Sequence, residues 1–110
     1  MKTLYSEHYK GLITEIDKEI NKYDKYEVFV LDIFGKTGLY SVYIDTLRRF
    51  DSDMKTSRDV NLSTKRRIDA QKQAMFTSEE VKILKEGIDY LCKKYKKYYN
   101  RYLAEKDQKD

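Results

Sequence analysis

The sequence predicts an all-α fold, a small helical bundle in which long amphipathic N- and C-terminal helices pack together. Three observations predict it. Apolar residues recur at three- and four-residue steps at both ends of the 110-residue chain. Charges of opposite sign flank the two resulting seams. The composition, 40 % apolar and 38 % charged, suits a folded chain with a well-solvated surface. This length makes one domain, residues 1–110, with a modest core.

The N-terminal seam is Tyr9, Ile13, Ile16, Ile20 and Tyr23, with Leu12 on the same side, and it predicts a helix over 3–23. The middle has two readings. Residues 26–34 (YEVFVLDIF) are β-branched and aromatic, and with the 35–38 turn and LYSVYI they could form one β-hairpin at about 26–44. Alternatively, Tyr43, Leu47, Phe50 and Met54 follow a 4, 3, 4 helical spacing, with Gly35 or Gly38 as the stop between a short buried helix and a longer one. Helix is preferred, because an isolated two-stranded hairpin is marginal.

Residues 51–62 lack periodicity and predict a surface loop. Ser63 can then cap a helix carrying Lys65, Arg66, Arg67, Ile68 and Met75. Thr77 with Glu80 three residues on reads as a capping box that opens a further helix over 78–104. Its seam runs Val81, Leu84, Ile88, Leu91, Tyr95, Tyr98, Tyr102. Gly87 within it costs about 1 kcal/mol relative to alanine, a cost offset where a neighbouring helix approaches closely.

Asp17, Glu19 and Asp24 flank the first seam, and Lys85, Lys94 and Arg101 flank the last. Opposite charges meet when the two helices pack within one chain. A parallel zipper of two C-terminal helices would instead bring like charges together.

Composition excludes several classes of function. No run of roughly 18 apolar residues is present to span a bilayer, and residues 1–8 lack a signal-peptide core, so no membrane role is expected and the cytoplasm is the default address. Cys92 is the only cysteine, which leaves no intrachain disulfide and no cysteine-based zinc site. It reads as a small apolar residue beside a seam. His8 is the only histidine and reads as a surface residue. Gly35-Lys36-Thr37 resembles the end of a phosphate-binding loop, but Val30 stands where that motif's first glycine belongs. Asp51 and Asp53 resemble the opening of an EF-hand, but Lys55 and Thr56 occupy positions that need an oxygen ligand and a glycine. Glu15, Asp17 and Glu19 sit among lysines on a periodic helix and read as a solvated face. No catalytic residue, cofactor site or metal site is expected. A helix-turn-helix, with 63–75 as first helix, 76–78 as turn and Glu79 onward as the reader, is disfavoured, since its turn lacks glycine and its reading helix would open with Glu79 and Glu80 toward phosphates.

What remains is the tyrosine- and lysine-rich stretch from Tyr90 to Tyr102. Tyr95, Tyr98 and Tyr102 belong to the seam. Tyr90, Lys93, Lys94, Lys97, Tyr99 and Arg101 are left to form a cationic aromatic face, the residue types that dominate protein interfaces and also stack on unpaired bases. The net charge of +4, from 23 basic and 19 acidic residues, permits an acidic partner without demanding one. The expected function is non-enzymatic binding of a larger protein or a protein–nucleic acid complex. Composition of this kind is common in accessory proteins of phages and mobile elements that inhibit or modulate a host defence or nucleic-acid-processing complex. The alternatives are direct binding of DNA or RNA as a small regulatory protein, and a homodimer.

Overall fold

The two middle readings are resolved by the structure, a computed structural model that describes residues 4–108. Five α-helices and no strand are found among the described residues: α1 Leu4–Tyr23, α2 Tyr26–Phe34, α3 Leu39–Arg58, α4 Thr64–Lys94 and α5 Lys96–Gln108. The helical bundle is borne out and the hairpin at 26–44 is not formed. The N-terminal helix runs to Tyr23 as expected; its expected first residue, Thr3, lies outside the described residues.

Residues 26–34 are helical despite their β-forming composition because burial decides their conformation. Phe29 and Ile33 are fully buried, Tyr26 is buried, and Val28, Val30 and Phe34 are half-buried against the same core. Only a helix brings Tyr26, Phe29 and Ile33 onto one side. The chain then turns sharply. A Cβ on Gly35 would lie 2.5 Å from the Leu31 carbonyl oxygen, so a larger residue cannot close this turn.

The most extensive packing is between α3 and α4, which run antiparallel. Asp53 meets Thr77, and the Ser57 carbonyl accepts from Arg67 Nε at 3.3 Å. Two boundaries therefore differ from expectation. The expected loop over 51–62 is helix as far as Arg58, and only 59–63 connects. Its polar residues are internally satisfied: Thr56 Oγ1 donates to the Ser52 carbonyl at 3.0 Å and Ser57 Oγ to that of Met54 at 2.7 Å. Thr77 is not a cap. It lies inside α4, its hydroxyl donating to the Gln73 carbonyl at 2.8 Å. The true cap is Ser63, whose Oγ accepts from the Arg66 amide at 3.3 Å, as its position suggested. An unbroken helix through 76–78 also removes any helix-turn-helix.

At its other end the expected 78–104 helix is broken. Tyr95 leaves helical geometry (φ −107°, ψ 46°), and α5 starts at Lys96. The core lies around this break: Ile16, Ile20, Phe29, Ile33, Leu39, Leu84, Ile88, Leu91 and Tyr98. α1 runs parallel to α4, Ile13 against Gly87 and Asp17 against Lys94, so the expected packing of the two ends is present. α1 itself ends at Asp24, which adopts the left-handed region (φ 47°) while its amide bonds the Ile20 carbonyl at 2.8 Å. Its side chain accepts from Tyr98 Oη at 2.6 Å, a tertiary contact that favours aspartate over glycine here.

Gly87 provides the sharpest check on the packing of α1 and α4. A Cβ there would overlap Ile13 Cδ1 and lie 2.7 Å from its Cγ1. Helix propensity favours alanine by about 1 kcal/mol, whereas overpacking costs about 1–3 kcal/mol. Gly87→Ala is expected to lower the urea midpoint. In an Ile13→Ala background, where those atoms are gone, the same change is expected to raise it. Additive effects of the two substitutions would show that the helices do not meet there.

Candidate functional site

The expected cationic aromatic face, Tyr90, Lys93, Lys94, Lys97, Tyr99 and Arg101, spans the end of α4 and the start of α5, and its members turn to two sides. Four of the six face the α1–α2 side. Lys94 Nζ pairs with Asp17 at 2.9 Å, and Tyr90 Oη donates to the same carboxylate at 3.3 Å. Tyr95 Oη donates to Asp17 Oδ1 at 2.5 Å and to its carbonyl at 3.1 Å. Arg101 lies over the Tyr26 ring, 4.0 Å from its centroid, and its Nε donates to Glu105 at 3.0 Å. Lys97 sits over Tyr98 at 5.2 Å. Tyr90, Lys94 and Arg101 thus already hold partners within the chain.

Lys93 and Tyr99 face the other side. With Phe34, Tyr40, Ile88, Asp89, Cys92, Lys96 and Asn100 they line an open groove of about 470 Å³ where the α2–α3 turn meets the α4–α5 break. Its rings, Phe34, Tyr40 and Tyr99, belong to a longer run that continues behind them to Tyr43 and Tyr102. Tyr43 and Tyr40 lie 5.9 Å apart, Tyr40 and Phe34 5.9 Å, and Phe34 stacks on Tyr102 at 4.1 Å and 5° and on Tyr99 at 6.2 Å and 13°. Tyr40 is 45 % exposed. Among the described residues, neither Lys93 nor Lys96 has an ion pair or an aromatic partner. Stacked rings lock each other's rotamers, so the groove presents fixed apolar surface beside two free cations.

Phe34, Tyr40, Lys96 and Asn100 were not among the expected site residues. Tyr40 and Phe34 come from the segment whose secondary structure was open. Lys96 and Asn100 follow Lys93 at three- and four-residue steps, a spacing that places them on its face and could have found them. Nothing in the local pattern marks Tyr95 as a break, since the tyrosine–aspartate contacts around it are tertiary.

The electrostatics separate the two sides. Burial works against the Asp17 charge, but bonds from Tyr95 and Lys94, the Lys94 charge and the Tyr90 bond outweigh it and hold the carboxyl below its ordinary range. Burial, then Asp17, pushes Tyr95 up to about 12. In the groove, burial and then the Asp89 charge push the Cys92 thiol up to about 11, leaving it protonated and a poor nucleophile at neutral pH. No cluster of three or more His, Cys, Asp or Glu side chains able to hold a metal occurs among the described residues. No described helix is long and apolar enough to cross a membrane.

A second cleft, about 520 Å³ between α1 and α2, contains Glu15, Lys18, Glu19, Lys22, Leu31 and Asp32. Burial, and then the adjacent Glu19 carboxyl, pushes Asp32 up to about 7, and its buried Oδ2 has no hydrogen-bond partner. The two acids titrate stability in opposite senses. Asp17, depressed in the fold, contributes stability above the usual carboxylate range that is lost on acidification. Asp32, raised in the fold, contributes stability below about pH 4 that is lost as the pH rises toward 7. Asp32→Asn is expected to be more stable than wild type above pH 7, by about 1 kcal/mol or more, and to lack the decline between pH 4 and 7. Asp17→Asn is expected to lose stability at pH 7 and to converge on wild type as acidification protonates the Asp17 carboxyl. Urea titrations across pH 2–8 read both.

No protein-family model matches the sequence, and no curated protein or solved structure is significantly similar to it.

Proposed function

We propose that this is a non-enzymatic binding protein that docks the lysine–tyrosine groove onto an acidic segment of a larger protein or protein complex, acting as a modulator or inhibitor of it. One observation carries this reading: Lys93 and Lys96 stand beside the exposed Tyr40 ring and the half-buried Tyr99, with no anion among the described residues paired to them. Rigid aromatic surface gives contact area at low entropic cost, and flanking cations select acidic partners and speed encounter. The Cys92 thiol, protonated and buried in the groove wall, adds apolar surface and no reactivity. A symmetric dimer through the groove would bring Lys93 and Lys96 of both copies together, so a different, acidic partner suits it better. A cytoplasmic setting and an origin in a phage or mobile element remain part of this proposal, resting on composition alone.

The two sides of the break are separable by mutation. Lys93→Glu with Lys96→Glu is expected to reduce partner capture from nuclease-treated lysate at least tenfold, and Tyr40→Ala to reduce it by a similar factor. Lys97→Glu on the opposite side is expected to change capture less than threefold. Retention of every partner by the groove variants would refute the reading. Loss of all capture after nuclease treatment of the wild-type sample would transfer it to a nucleic-acid complex.

A further inference from the structure

The basic residues are segregated by type as well as by position. Five of the six arginines, Arg48, Arg49, Arg58, Arg66 and Arg67, fall between positions 48 and 67, while most of the 17 lysines lie elsewhere. Eight basic and four acidic residues lie between 48 and 73, so this stretch alone carries the chain's net charge of +4 and the remainder is neutral. In the fold it is the end of the α3–α4 hairpin, at one end of a molecule 52 Å long and 19 Å thick. The charges therefore gather on a projecting tip.

Some of these arginines are structural. Arg67 Nε bonds the Ser57 carbonyl near the end of α3, and Arg49 reaches Tyr9 Oη and Thr46 Oγ1, each at 3.3 Å. Among the described residues Arg48 has a single ion pair, loose and exposed, with Asp45 at 3.9 Å. Lys55, Arg58, Lys65, Arg66 and Lys72 are exposed, and among the described residues their side chains have no ion pair. The tip is also the part of the chain without tyrosine, since none occurs between Tyr43 and Tyr90. Exposed guanidinium groups match phosphate oxygens in paired geometry. Without exposed rings the surface is poorly suited to stacking on unpaired bases, which single-strand binding needs.

We infer that the tip of the α3–α4 hairpin is a docking surface for the phosphate backbone of duplex nucleic acid, with Arg58, Arg66 and Lys65 as principal contacts and Lys55 and Lys72 at its margins. Recognition there is of charge and spacing, independent of base sequence. This surface is separate from the groove at the other end of α4, and each stands or falls without the other.

The test is fluorescence anisotropy with labelled duplex DNA, the matching single strand and phosphatidylserine vesicles, at about 50 and 200 mM salt. Duplex binding is expected at the lower salt, falling steeply at the higher. Arg58→Ala/Lys65→Ala/Arg66→Ala is expected to weaken it at least tenfold and to reduce the salt slope by about 0.9 for each phosphate that the variant leaves unneutralised. Arg58→Lys/Arg66→Lys is expected to retain the slope while weakening affinity severalfold. Circular dichroism of each variant checks that these exposed changes leave the helices intact, and Lys93→Glu/Lys96→Glu is expected to retain most duplex affinity. The inference is overturned by no duplex binding at 50 mM salt, by unchanged affinity in the alanine variant, by tighter binding of the single strand, or by binding to vesicles alone.

Discussion

The Asp17 carboxylate is the constraint on which the packing around the α4–α5 break depends. It sits near the end of α1 and gathers the Lys94 ammonium, the Tyr90 hydroxyl and the Tyr95 hydroxyl. An exposed lysine–carboxylate pair alone contributes at most about 1 kcal/mol. Here the carboxylate is 20 % exposed and accepts bonds from two phenols as well, so losing it would leave several polar groups unmatched. Tyr95 is held by its hydroxyl at the residue where α4 stops being helical. Beyond it α5 turns its rings onto α2: Tyr98 to Phe29 and Tyr26, Tyr102 face to face with Phe34. Asp24 holds the hydroxyl of Tyr98 in the same way. Two acids at the end of the N-terminal helix thus fix where the C-terminal tyrosines go.

Much of the fold was legible because it follows from local periodicity. The α1 stripe, the seam from Leu84 to Leu91, the Ser63 cap and the close approach at Gly87 all depend on residues within a few turns of one another. The opposite charges flanking the seams pointed to α1 on α4, and Asp17 with Lys94 realises this; Arg101 instead pairs with Glu105 on its own helix. The errors share a cause. Thr77 with Glu80 has the spacing of a cap, and Asp51 to Arg58 has the polarity of a loop, yet both are helical because α3 and α4 face each other there. Threonine and serine side chains bonded to carbonyls three or four residues back make such segments compatible with helix. The Tyr95 break is invisible for the complementary reason, since its partner is 78 residues away in the chain. Only Lys93 and Tyr99 of the six expected residues line the groove, because Tyr90, Lys94, Lys97 and Arg101 follow one another at three- and four-residue steps along a neighbouring stripe.

The distribution of basic residue types along α4 is then informative about design. Lysine is a hydrated point charge on a flexible stem, and arginine a planar fork that is less strongly hydrated. A chain that uses lysine for nearly all cations outside one stretch, and arginine for five of the eight within it, separates two chemistries. Tyrosines and lysines are together at the α4–α5 break, and arginines are together at the α3–α4 tip. α4 connects them as one continuous helix of 31 residues.

That continuity bears on how two such surfaces would communicate. Lys65 and Lys93 are separated along one helix by about 42 Å, at 1.5 Å per residue. The Debye length at physiological ionic strength is about 8 Å, so charge neutralisation at one end has little direct electrostatic effect at the other. A mechanical route would need an element with two arrangements between them. What lies between is the tight contact of Gly87 with Ile13 and the fully buried Leu84 and Leu91, packing that resists graded displacement. Occupancy of the two ends should therefore be close to independent, and their joint effect would come from tethering: a chain bound at both ends holds its two partners at the distance set by α4, raising the local concentration of each at the other without altering either affinity.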